Sequence, residues 1–227
     1  MLRRALQLVL LLLAVATAAS TAEIVERIVA TVNKHPLMAT DLEDEMRFEA
    51  LQQKSPVASL NSQDAKAALD RLIEQELVRQ QMLSVADPAP EDVAVRVKDI
   101  RALYPQAATD DGWRSVLKQY ELTPADVDRL VAAQLQMMRF IELRLRPSLR
   151  VSRREVEAYY RDKFAPELRS AGHEPDPLQK VYSRIEEILI QQKLDDTLTN
   201  WMSTLRNQSD IRIHGNLAYV TPGKDAR

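Results

Sequence analysis

From Arg27 to Asn33 the chain reads R-I-V-A-T-V-N, an alternation of β-branched and apolar residues with the period of two that marks a short strand. Lys34, His35 and Pro36 then make a turn, and Leu37 to Ala39 can return briefly beside the strand. From there the period changes. Thr40 with Glu43 reads as a capping box that starts a helix at Asp41, and Leu42, Met46 and Ala50 at a spacing of four are its core stripe. Ser55 to Ser62 is polar, contains Pro and reads as a loop. A longer helix is predicted over 63–85, with Leu69, Leu72, Ile73, Leu77 and Gln80 on one face and Arg71, Glu74, Arg79 and Gln81 on the other. Asp87, Pro88 and Pro90 end it, since Pro has no N–H for the helical ladder.

Glu91 to Tyr104 is the next helical pattern, with Val93, Val97, Ile100 and Leu103 or Tyr104 as its seam. Asp110 or Asp111 can cap a short helix carrying Trp113, Val116, Leu117 and Tyr120. Thr123-Pro124 is an N-cap with Pro at the first helical position. The helix it opens is predicted to reach Arg146 and stop at Pro147, with Val127, Leu130, Gln134, Met138, Ile141 and Leu145 as its main stripe. Ser152 with Glu155 is a further capping box, for a helix through Tyr159 and Tyr160 to about Phe164. Three Pro, a Gly and a His between Ala165 and Pro177 mark a linker, and 165–180 is taken as a boundary between 23–164 and 181–227. The last helix is predicted over 178–207, carrying Val181, Ile185, Ile188, Leu189, Leu198, Trp201, Met202 and Leu205. Alternation then returns with Ile211 and Ile213, followed by Leu217, Tyr219 and Val220 around Gly215-Asn216. Two small strand regions at opposite ends of the chain would each be marginal alone. Pairing them gives a mostly α fold of about six helices with one small antiparallel sheet.

Composition agrees: only 4 Gly among 227 residues, 45% hydrophobic and 28% charged residues with mixed signs. The first residues add a compartment. Arg3 and Arg4, the apolar run Ala5 to Val15 broken only by Gln7, and the small residues Ala16 to Ala22 follow the order of a secretory signal. The run is shorter than the roughly 20 residues of a bilayer span. Cleavage is expected after Ala18 or Ala22, with Ala22 preferred because Glu23 opens the folded pattern. No Cys follows that could carry a lipid, so no stable membrane anchor is expected after cleavage. Loss of Arg3 and Arg4 takes the charge from 31 − 33 = −2 to 29 − 33 = −4, which offers nucleic acid no electrostatic attraction.

The stretch R-I-V-A-T-V-N-K-H-P-L-M-A-T-D-L-E-D-E, Arg27 to Glu45, resembles the opening of SurA-type periplasmic chaperones. R-L-I-E-Q-E-L-V-R-Q-Q-M (Arg71 to Met82) is similar to that family's second helix, and V-S-R-R-E-V-E-A-Y-Y (Val151 to Tyr160) to the helix leading into its parvulin module. Val181 to Ile213 resembles the closing helix and strand. The resemblance spans nearly all of the chain after residue 22. It implies a periplasmic chaperone that binds unfolded or partly folded polypeptides, including outer-membrane proteins during assembly, without ATP. The chain departs from the family in one place. Where a parvulin domain would stand there is only 165–180, and Gly112, Gly172, Gly215 and Gly223 are never adjacent, so no prolyl isomerase is expected.

Other chemistry has little to build on. His35, His173 and His214 are isolated and have no partner at helical metal-pair spacing, so no metal and no cofactor is expected. Asp41 to Glu45 suits a helix N-terminus, and Asp195 with Asp196 a solvated helix face. No catalytic residue is assigned, and a divergent enzyme built from noncontiguous residues stays an alternative. Apolar residues off the main stripes are the candidate substrate-binding set: Phe48 and Leu51 on the first helix, Met137 and Phe140 on the helix after Thr123. They either line a groove for client chains, where Met adapts to varied shapes, or pack against further helices. The remaining alternative is a helical adaptor that binds one folded partner.

Overall fold

The computed structural model describes residues 27–82 and 86–215; the expected signal segment and the alternation from Leu217 to Val220 lie outside them. Strands β1 (Ile28–Val32) and β2 (His35–Met38) form a hairpin. Its two turn residues, Asn33 and Lys34, have φ of 50° and 73°, the doubly left-handed turn that matches strand twist and suits Asn. On its other side β1 pairs antiparallel with β3 (Ile211–Ile213), Ala30 opposite Ile213 and Val32 opposite Ile211. The order β2-β1-β3 thus joins the two ends of the fold, as the alternation at both ends implies. Asn33 closes the joint. Its amide donates to Gln80 at 2.9 Å and Ser209 at 3.0 Å, and its side-chain oxygen accepts the Asp210 N–H at 2.9 Å.

The helices are α1 (Ala39–Gln53), α2 (Ser62–Arg79), α3 (Pro90–Ala102), α4 (Asp110–Gln119), α5 (Pro124–Leu145), α6 (Arg153–Tyr159), α7 (Ala165–Ser170) and α8 (Leu178–Gln208). A π-helical turn, Tyr160–Phe164, joins α6 to α7 without a break, so the described residues hold seven helical runs. The segment read as a linker is therefore helical as far as Ser170. Pro166 explains the wider turn: it has no N–H to donate back, and its ring crowds the carbonyl one turn earlier. The helix ends at Gly172, with φ of +81° and the His173 N–H bonded to the Leu168 carbonyl at 2.8 Å, leaving 171–177 as the connection.

Capping differs from expectation at three helix starts. α1 begins at Ala39 because the Asp41 carboxylate accepts the Met38 N–H at 3.1 Å, ahead of the Thr40 and Glu43 pair. α2 begins at Ser62 under a capping box of Asn61 and Asp64, and it ends at Arg79 rather than near residue 85. Thr109, not Asp110 or Asp111, caps α4, accepting the Gly112 N–H at 3.1 Å. Thr123 and Ser152 cap α5 and α6 as their sequences imply.

Three apolar clusters hold the helices. Leu42 and Met46 of α1 join Val29 and Val32 of the sheet, Leu69, Ile73 and Leu77 of α2, and Leu205 of α8. Phe48 and Leu51, on another side of α1, meet Ile100, Trp113, Leu117, Val127 and Val131 from α3, α4 and α5. A smaller cluster at the start of α8 sets Val156 of α6 against Val181 and Ile185. α8 has 31 residues, about 46 Å at 1.5 Å per residue, and runs from this third cluster back to the sheet. Lys193 fixes it to α6 through a 2.7 Å contact with Glu155, and Arg206 fixes it to α2 through Asp70 at 2.7 Å.

Two outcomes follow from α8. A chain ending at Lys180 loses Val181, Ile185, Leu194 and Leu205 from the interior together with β3. Each buried side chain is worth about 1.5–3 kcal/mol, and a whole domain has only about 5–15 kcal/mol of net stability. The truncated chain is expected to show no cooperative melt by circular dichroism, and a melt near that of the full chain would refute this arrangement. The second outcome concerns acid. The Glu155 carboxyl is held at about 2, down from 4.5, by Lys193 first and then by the N–H and hydroxyl of Ser152. A lowered carboxylate stabilises the fold fully above its unfolded value, near 4.5, and that contribution fades as pH falls toward 2. A carboxyl-resolved NMR titration should place the Glu155 midpoint near 2, and Lys193→Gln should raise it.

Candidate functional site: a methionine-lined cleft along α5

Pro124 pre-sets the first turn of α5, and Thr123 and Asp126 close it reciprocally. The Thr123 hydroxyl accepts the Asp126 N–H at 3.2 Å, and the Asp126 carboxylate accepts the Thr123 N–H at 2.9 Å. The Thr123 hydroxyl also donates to the Asp126 carboxylate at 2.7 Å, and this bond first, then that from the Thr123 N–H, holds the carboxyl below its ordinary range. With its start fixed, α5 turns Val127 and Val131, both fully buried, toward α3 and α4. Of the expected stripe, Val127 and Leu145 are buried and Leu130, Gln134 and Ile141 half-buried, while Met138, on the same side as Val131 but two turns further along, is 60% exposed. Apolar residues surround α5 at this level, among them Leu135, Met137, Met138 and Ile141, so its period alone does not select the buried face.

The sides of α5 that the core leaves over line three joined clefts. The first, about 230 Å³, lies between α1, α2 and α5, with Phe48, Leu72, Met82, Leu130 and Met137 on its walls. The second, about 480 Å³, has Val78, Met137, Met138, Ile141, Leu198 and Met202. The third, about 430 Å³, lies against α3, with Val95, Leu135 and Met138. Met137 belongs to the first two and Met138 to the last two, so neighbouring clefts share walls. They follow α5 from Arg129 to Glu142, about 20 Å of helix.

Two carboxylates stand in these walls and are almost wholly buried. Glu45, 5% exposed, accepts from the Arg71 Nε at 3.3 Å and the Gln75 amide at 3.4 Å. Glu76, 6% exposed, accepts from Arg79 at 2.6 and 2.7 Å and from Gln80 at 2.7 Å. The hydrogen bond to Glu76 is the main cause that holds the Arg79 guanidinium still more firmly protonated than usual. Gln80 also donates to the Val32 carbonyl at 3.1 Å, which ties this wall to the sheet.

The four expected binding residues divide. Met137, half-buried, and the inner edge of Phe48 meet on the wall of the first cleft. Phe48 is otherwise interior, at 1% exposure, and Leu51 at 0% is a core residue whose carbonyl accepts the Tyr104 hydroxyl. Phe140 is also buried, its ring centroid 6.1 Å from that of Trp201. Leu51 and Phe140 thus pack against further helices. Met82, Met138, Leu198 and Met202 line the clefts without having been singled out for binding. Their surplus of Met was the available signal, since unbranched thioethers fill and line irregular apolar space.

Among the described residues no group of three or more His, Asp or Glu could hold a metal ion. His35 and His173 are exposed, and the His214 ring lies 2.8 Å from the Thr31 hydroxyl beside the sheet. No described helix is long and apolar enough to cross a membrane. No protein-family model matches the chain, and no curated protein matches it either.

Core and wall are separable by stability. Phe48→Ala should cost about 3–5 kcal/mol in urea unfolding, and Met138→Ala should stay within about 0.5 kcal/mol of the parent. Equal and small losses at both positions would place Phe48 on the surface instead.

Proposed function

We propose that the chain is an extracytoplasmic chaperone that holds unfolded or partly folded polypeptides, outer-envelope proteins among them, without ATP and without prolyl isomerase activity. The observation that carries this reading is the run of joined apolar clefts along α5, four of whose wall residues are Met. A thioether on three rotatable bonds adapts to many side-chain shapes, which suits clients that share no sequence. Strand hairpin, helices, long closing helix and closing strand also follow one another as in the SurA-type chaperones that the sequence resembles. In this reading the signal-like N-terminus delivers the chain to the periplasm. The missing isomerase follows from 165–180, 16 residues where a whole domain would be needed.

The chaperone should suppress light scattering by several unrelated unfolded proteins at near-equimolar ratio, with no nucleotide present. Met137→Glu puts a charge on the wall shared by two clefts and should weaken that protection about tenfold or more while the melt stays cooperative. A chain that leaves unrelated aggregation unchanged and retains one folded protein in a pull-down is instead a helical adaptor.

A further inference from the structure

We propose that the cleft methionines, Met138 first and then Met137 and Met202, are a site of reversible oxidation by hydrogen peroxide or a hypochlorite-class oxidant. Their sulfoxides would loosen the cleft's hold on apolar polypeptide. The loosening rests on the proposed function; the oxidation itself does not.

The position of the sulfur atoms motivates this. The chain has 7 Met and no Cys, so no thiol competes for a two-electron oxidant. Met82, Met137, Met138 and Met202 all line the joined clefts. Met138 is the most accessible, 60% exposed at the point where the second and third clefts meet. Met46 is its internal contrast, 1% exposed within the sheet cluster. An oxidant entering the cleft therefore meets Met138 before the half-buried Met137 and Met202 and is kept from Met46.

The chemistry balances with peroxide alone. The thioether sulfur attacks one peroxide oxygen, the O–O bond breaks, and that oxygen stays on sulfur as the sulfoxide. Sulfur loses two electrons, and the other oxygen leaves as water. A sulfoxide reductase drawing on a dithiol reverses the step, releasing water and a disulfide. The product is a strong hydrogen-bond acceptor in place of an apolar, polarisable atom. At Met138 it is solvated and leaves the fold intact. Against an apolar client segment it must be stripped of water without a donor to replace it, which disfavours the complex.

Peptide mass spectrometry after graded peroxide should find one added oxygen on Met138 first, then on Met137 and Met202, with Met46 slower than Met138 by about tenfold or more. Fluorescent reduced, carboxymethylated lactalbumin, a permanently unfolded chain, serves as the binding probe. Its affinity should fall about tenfold on oxidation and return after treatment with methionine sulfoxide reductase and dithiothreitol. A chain carrying Met137→Leu, Met138→Leu and Met202→Leu should show no change in probe affinity on peroxide treatment, whatever that affinity is before it. Oxidation of Met46 as fast as Met138 would overturn the site. Unchanged affinity of the oxidised chain, or a loss accompanied by loss of the cooperative melt, would overturn the loosening. Absence of probe binding before any oxidation would overturn the proposed function, and the loosening with it, while the order of oxidation still decides the site.

Discussion

The central place of β1 is the constraint on which the rest of the structure depends. Val29, Ala30 and Val32 are essentially inaccessible, so the strand's N–H and C=O groups need partners on both edges. The hairpin with β2 supplies one edge from the adjoining sequence. The other must come from elsewhere, and it comes from β3, about 180 residues further along the chain. That return fixes the course of α8, which has to reach the sheet from the third cluster and crosses α5 and α2 on the way. Leu198 and Met202 on α8 then close the far wall of the second cleft. A backbone requirement at the start of the chain thus determines a side-chain surface near its end.

α1 adds a second constraint. It is buried on more than one side, Leu42 and Met46 toward the sheet and Phe48 and Leu51 toward α3, α4 and α5. A helix clamped between two clusters holds them at a set separation, and α5 lies against only part of that wall. The side of α5 that bears Val127 and Val131 is absorbed by the core. Further along the helix Met138, on that same side, is exposed, and Met137 is half-buried.

The sequence was most legible where the local chemistry had one solution. Period-two alternation located β1 and β3, and their marginal size alone implied that they pair. Thr123-Pro124 and Ser152 with Glu155 located two helix starts, since each satisfies N–H groups that nothing else nearby can. Legibility failed where two solutions compete. Asp41 and Asn61 capped helices a residue or more ahead of the expected starts. Pro166 reads as a breaker, yet the π turn before it absorbs the missing N–H and carries the helix on to Ser170. The candidate site residues meet the same ambiguity. An apolar residue off the main stripe can face a groove or a second core, and a helix with apolar positions all round holds no record of which. Phe140 went to the interior and Met138 to the surface, two residues apart on one helix.

An electrostatic cost opposes closing the first cleft, whose walls hold Glu45 and Glu76. Apolar walls this close would gain by closing, because burying their Met and Leu side chains is favourable. Glu45 and Glu76 oppose that. A carboxylate loses several kcal/mol of hydration in a dry interior unless its lone pairs are matched, by order of magnitude. Glu76 is fully engaged by Arg79 and Gln80, which fixes the end of α2 near the sheet. Glu45 is held by longer contacts, 3.3 Å from Arg71 and 3.4 Å from Gln75, so its burial is compensated less fully than that of Glu76. Two buried, hydrogen-bonded carboxylates in the walls of the first cleft thus set a desolvation cost against closing α5 over them.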